Sequence, residues 1–217
     1  MESPSVVAAV VTLLSTTEGR TKVYRFLQYM AKSVRISVYS KDADVTVEPR
    51  GLRWLRTIES LTASARKANR LFRFLDMYVL FPTLRDRDST VRRLRQARVL
   101  TFFFMFLFEN LSIFFPQPTA IEGVPMTLHL SRYSHTMWLL SILLGIVLDH
   151  KLARGSASTT LKHLLELPIA TILALRLRVS DATMCSLGLS SSVLSLALHS
   201  HRTSVARHVT GCDRQVE

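Results

Sequence analysis

The chain reads as an all-α integral membrane protein, with basic amphipathic helices in its N-terminal half and hydrophobic spans in its C-terminal half. Three observations carry that reading. Apolar residues recur at helical spacing, and no alternating β pattern of any length competes with them. A balance of 28 Lys and Arg against 16 Asp and Glu gives a formal charge of +12 in a chain that is 48% hydrophobic. With a positive mean hydropathy, that combination favours a phospholipid surface over water. Charge and apolar content are also segregated, with the change falling near residue 98.

Taken in order, the apolar run Val6 to Leu14 reads as a short helix. It follows MESPS without a basic flank, so it is not expected to act as a secretory signal. Gly19 in STTEGR is expected to break it before a second helix begins near Thr21. There Val23, Leu27, Met30 and Val34 share one face, with Lys22, Arg25, Lys32 and Arg35 on the other. KDADVTVEPRG, Lys41 to Gly51, carries acidic residues, Pro49 and Gly51, and reads as a loop.

From Arg53 a single long helix is expected, with Trp54, Ile58, Leu61, Ala65, Ala68, Leu71, Phe72, Leu75 and Val79 on its stripe and a stop at Phe81-Pro82. Within it, SARKANRLFRFLDMYVLF crowds cations and apolar residues together. The membrane interface accepts both. Leu71, Phe72 and Leu75 would enter the acyl boundary, while Arg66, Lys67, Arg70 and Arg73 would meet anionic headgroups.

RDRDSTVRRLRQAR, Arg85 to Arg98, is a charged junction in which Asp88 or Ser89 can cap the next helix. Four apolar runs follow, near 99–115, 133–148, 164–177 and 182–198, the third broken by Pro168. Each is somewhat shorter than the roughly 20 residues that cross a bilayer. The runs near 99–115 and 182–198 are the expected spans, with the other two as further candidates. Arg92, Arg93, Arg95 and Arg98 before the first run, with Arg202 and Arg207 after the last, favour cytosolic ends for an even number of crossings. The organisation expected is thus a cytosolic, membrane-interacting region over 1–98, an embedded region over 99–199 and a basic tail over 200–217.

Enzymatic chemistry finds no footing in the sequence. It contains no phosphate-binding glycine loop, no nucleophile elbow and no HExxH. His199-Ser-His201 lacks a third ligand nearby and reads as a solvated pair at the membrane edge, so no metal and no cofactor are expected. Glu109 and Asn110, inside a phenylalanine-rich run, are costly if they face lipid and are candidates for lining a pore, locking a helix pair or pairing with cations near Arg98. Gly188 and Ser192, four residues apart, allow close approach of two helices, between copies or within one chain. A soluble helical bundle would bury the four runs. A nucleic-acid binder is motivated only by the net charge, and nucleic acid is not expected as a partner.

Four blocks, GRTKVYRFLQYMAKSV (Gly19 to Val34), TASARKANRLFRFLD (Thr62 to Asp76), LFENL (Leu107 to Leu111) and DATMCSLGLSSSVLSLALH (Asp181 to His199), resemble the peroxin-11 family of peroxisomal membrane proteins. The resemblance implies a non-enzymatic integral protein of the peroxisomal or glycosomal membrane that elongates the organelle and promotes its fission. In the family a basic amphipathic helix inserts into the cytosolic leaflet, a role that would fall on Ser64 to Val79. It also implies self-association, an import receptor for peroxisomal membrane proteins and fission machinery as partners. A channel for small metabolites is the alternative within the same family, and would make Glu109 and Arg98 pore residues.

Overall fold

In the computed structural model the described residues are 11, 13–39, 50–115, 120–121, 124–152 and 157–212, of which 120–125 and 201–212 are described by their backbone alone. Most of the expected helix Val6 to Leu14, most of the Lys41 to Gly51 loop and the end of the 200–217 tail lie outside the described residues. Helices run in the order α1 (Thr17–Tyr39), α2 (Arg50–Ala68), α3 (Arg73–Thr83), α4 (Ser89–Phe114), α5 (Met126–Lys151), α6 (Ala157–Leu175) and α7 (Asp181–Cys212). A two-residue hairpin pairs Ala120–Ile121 with Val124–Pro125 before α5. The fold is therefore all-α apart from that hairpin.

The chain divides into two compact units, Met1–Asn69 with Asp181–Glu217, and Arg70–Ser180. In the first, α1 packs against both α2 and α7. Its start differs from the expectation. Thr16 Oγ1 accepts the Gly19 N–H at 3.0 Å, an N-terminal cap that begins the helix at Thr17. Gly19 thus lies in the first turn and is not the break. A Cβ there would run into the Leu13 carbonyl, so the close approach of the preceding chain requires glycine.

The expected single helix over Arg53 to Phe81 is two helices. Asn69 N–H still bonds to the Ala65 carbonyl at 3.0 Å, but Phe72 adopts φ 60°, the left-handed region, and the chain turns into α3. A non-glycine residue there costs roughly 1–2 kcal/mol, which the packing of the turn's side chains on α4 offsets. The helix also runs past the expected stop, through Pro82 to Thr83, whose hydroxyl bonds to the Leu80 carbonyl at 2.7 Å.

In the second unit α3 packs on α4, α4 on α5 and α5 on α6. Asp88 caps α4 as expected, its carboxylate accepting from Thr90 N at 2.7 Å and Val91 N at 3.4 Å. At 26 residues the helix is about 39 Å long, more than the roughly 30 Å hydrocarbon thickness. The expected break at Pro168 is absent. α6 passes through it because Ile169 and Ala170, fully buried, hold the helix by tertiary contact. It ends at Arg176, φ 53°, with the Leu177 N–H bonded back to the Ile172 carbonyl at 3.0 Å, a helix-ending pattern in which glycine is the usual residue.

Candidate membrane-binding surface

The amphipathic helices carry their apolar faces outward. On α2, Trp54 is 65% exposed and Leu61 64%, with Ile58 between them on the same face. On α3, Tyr78 is 71% exposed and Val79 65%, beside exposed Phe72 and Leu75. On α1 the exposed residues are Leu27, Met30, Val34 and Val38. Such stripes follow from the three-to-four-residue spacing that was legible in the sequence. In water, apolar patches of this extent mark an interaction surface.

Some of their polar residues meet between helices, while Arg53, Arg56 and Lys67 stay exposed. Arg35 holds Glu59 through two hydrogen bonds of 2.7 and 3.3 Å between α1 and α2, and this carboxylate raises the Arg35 guanidinium above its ordinary pKa. Lys32 pairs with Asp181 at 2.9 Å and Arg25 donates to Ser191 at 3.1 Å, tying α1 to α7. Thr62, Ser191, Ser192, Ser195 and His199 are all buried in this unit. His199, expected in solvent, is buried with Thr16 Oγ1 3.4 Å from its Nε2. The side chain of His201 lies outside the described residues.

The residues singled out in SARKANRLFRFLDMYVLF fall on two helices and the turn between them. Arg66, on α2, donates to Gln28 at 2.6 Å. Lys67 is exposed and Leu71 half-buried. Arg70 bonds to Glu109 at 2.6 Å, and the Arg73 guanidinium sits 5.3 Å from the centre of the Phe106 ring. Phe72 and Leu75 are exposed, and the Phe72 ring also meets Phe74 and Phe114, each with centroids 6.3 Å away. Arg70 and Arg73 thus both meet α4.

Several polar residues inside the apolar helices have partners. Glu109 has Arg70 rather than a cation near Arg98, and the Asn110 side-chain amide bonds to the Phe106 carbonyl at 2.7 Å. Arg98 approaches His163 Nε2 at 2.9 Å, and His163 Nδ1 approaches Asp149 at 3.0 Å. This chain of three joins α4, α5 and α6. Gly145 makes room for it, since a Cβ there would lie 2.8 Å from His163 Cε1 and 3.0 Å from Arg98 Cζ. Sequence reasoning missed it: Asp149 and His163 sit at the ends of apolar runs and share no spacing with Arg98.

Gly188 and Ser192 face inward within one chain. A Cβ on Gly188 would fall on the Tyr29 ring, and Ser192 is buried with its hydroxyl bonded to the Gly188 carbonyl at 2.6 Å. Cys185, one turn away, donates to the Tyr29 carbonyl at 3.3 Å. Among the described residues no group of three His, Cys, Asp or Glu side chains could hold a metal.

Two of the helices, Ser89–Phe114 and Asp181–Ser200 within α7, are long and apolar enough to cross a membrane. By length and composition they are candidate spans of a helical membrane protein. The family model for Peroxisomal biogenesis factor 11 (PEX11) matches residues 7–156, and the chain belongs to that family. No curated protein and no solved structure matches the chain. Family membership makes it a non-catalytic protein of peroxisomal or glycosomal membrane biogenesis, acting in elongation and fission of the organelle, with membrane association and self-association as its modes of interaction.

Proposed function

We propose that the protein bends the peroxisomal membrane by laying the exposed apolar faces of α2 and α3 into the acyl region of the bilayer. The observation that carries this reading is the outward apolar stripe of the basic helices. Large apolar side chains point out, while Arg35 with Glu59, Lys32 with Asp181 and Arg25 with Ser191 meet between helices. Bilayer solvent favours that arrangement, because polar groups buried among helices keep their partners and apolar surface costs nothing in lipid.

Insertion rests on Trp54, Ile58 and Leu61 of α2 and on Phe72, Leu75, Tyr78 and Val79 of α3. Headgroup attraction rests on exposed Arg53, Arg56 and Lys67, at roughly 1 kcal/mol each near an anionic leaflet. Arg66, Arg70 and Arg73 brace the helices. In this reading residues 1–98 form the interfacial region, 99–199 the embedded one and 200–217 a basic tail, with both termini in the cytosol. An import receptor for peroxisomal membrane proteins and the fission machinery are the partners that follow from the family.

The test uses the purified full chain on anionic liposomes. The triple variant Phe72→Ser, Leu75→Ser, Val79→Ser should stay in the membrane fraction after carbonate extraction and lose most of its tubulation. Undiminished tubulation would remove α3 from the mechanism.

A further inference from the structure

The second unit also carries an open cleft whose lining the surface just described does not use. It lies between the first turns of α5 and the last turn of α6, has a volume of about 250 Å³, and is lined by Leu128, Ser131, Arg132, His135, Leu173 and Arg176. That volume is smaller than the roughly 300–1,000 Å³ of pockets that enclose a whole drug-sized ligand. It suits a polar group and not an entire amphiphile.

The lining has two guanidinium groups, an imidazole and a hydroxyl, and no carboxylate. The fields of Arg70 and Arg176 both reach the His135 ring, while Arg70 itself is engaged by Glu109. Guanidinium forks match the oxygens of a phosphate in geometry as well as charge. Leu128 and Leu173 give the cleft apolar walls, and exposed Leu175 and Leu177 lie beside Arg176 in the chain.

The placement of Arg176 is the second observation. It occupies the left-handed position that ends α6, at φ 53°, where glycine would be unstrained. Held there, Arg176 donates to the Leu128 carbonyl at 2.8 Å, fixing one guanidinium arm on α5 beside the cleft. The cation also compensates the negative end of the α6 dipole, which would otherwise oppose an anion.

We propose that this cleft binds a phosphate group, either the headgroup phosphate of an anionic phospholipid or a free phosphate ester. Arg132 and Arg176 would clamp the oxygens, with His135 and Ser131 as further hydrogen-bond partners. For a lipid, Leu128 and Leu173 would meet the start of the acyl chains.

The experiment measures binding, independently of membrane bending, with the full chain in neutral detergent micelles. One arm titrates short-chain phosphatidic acid against phosphatidylcholine of the same chain length, and the other titrates glycerol phosphate and inorganic phosphate. Arg132→Gln and Arg176→Gly should each weaken binding at least tenfold. Arg176→Gly places the favoured residue at the helix end, so its thermal unfolding temperature should be unchanged or higher, which separates lost binding from lost folding. Saturable binding of the lipid alone assigns the site to a headgroup, and binding in both arms assigns it to a phosphate ester in general. Absence of saturable binding in both arms, or binding that survives in both well-folded variants, would overturn the proposal.

Discussion

Glu109 would be the costliest side chain in α4 if it faced lipid, and Arg70 removes that cost by bonding to it at 2.6 Å. Taking away either partner leaves the other half-buried and unmatched, so Glu109→Gln and Arg70→Gln should each destabilise the protein by about 1–3 kcal/mol. The double variant should recover part of that loss, as a double-mutant cycle read by thermal unfolding in detergent would detect. Additive losses would mean that the two residues act separately. Asp149→Ala is expected to cost more, about 3 kcal/mol, because it strands His163 and Arg98 in a buried chain of three. Neither set of partners was legible in the sequence. It revealed that Glu109 needed a partner, but the partner comes from a turn that only tertiary packing creates.

At the scale of the element, most of what the sequence revealed concerned periodicity, and most of what it hid concerned breaks. The stripes on α1 and α2 follow directly from residue spacing. The division between α2 and α3 does not, because the pattern of Leu71, Phe72, Leu75 and Val79 continues smoothly past Asn69 while the backbone turns at Phe72. Pro168 misled in the opposite sense, since buried neighbours hold α6 straight through it. The small residues of α7 were legible as a packing face, but not their occupant. With Tyr29 as that occupant, Gly188→Leu should destabilise the α1–α7 packing by about 1–3 kcal/mol through overpacking. Tyr29→Ala in the same chain should restore much of it, as limited proteolysis of the first unit would report. A loss of crosslinked oligomers by Gly188→Leu with unchanged protease resistance would instead make this face an interface between copies.

For the whole molecule, the class was legible because composition alone joins a +12 charge to 48% hydrophobic residues. How the two are reconciled was not. The expectation set Arg66, Lys67, Arg70 and Arg73 at the headgroups; Lys67 is exposed, while Arg66 meets Gln28, Arg70 meets Glu109 and Arg73 meets the Phe106 ring, beside apolar faces turned outward. Trp54 reports on that arrangement. It stands exposed on the α2 stripe, and Trp138 is the one other tryptophan in the sequence. With Trp138→Phe in the full chain reconstituted into anionic liposomes, the fluorescence of Trp54 gives the most direct test. The account predicts blue-shifted emission, quenched by lipids brominated along the acyl chain and protected from iodide. Water-like emission quenched by iodide and untouched by the brominated lipids would contradict it.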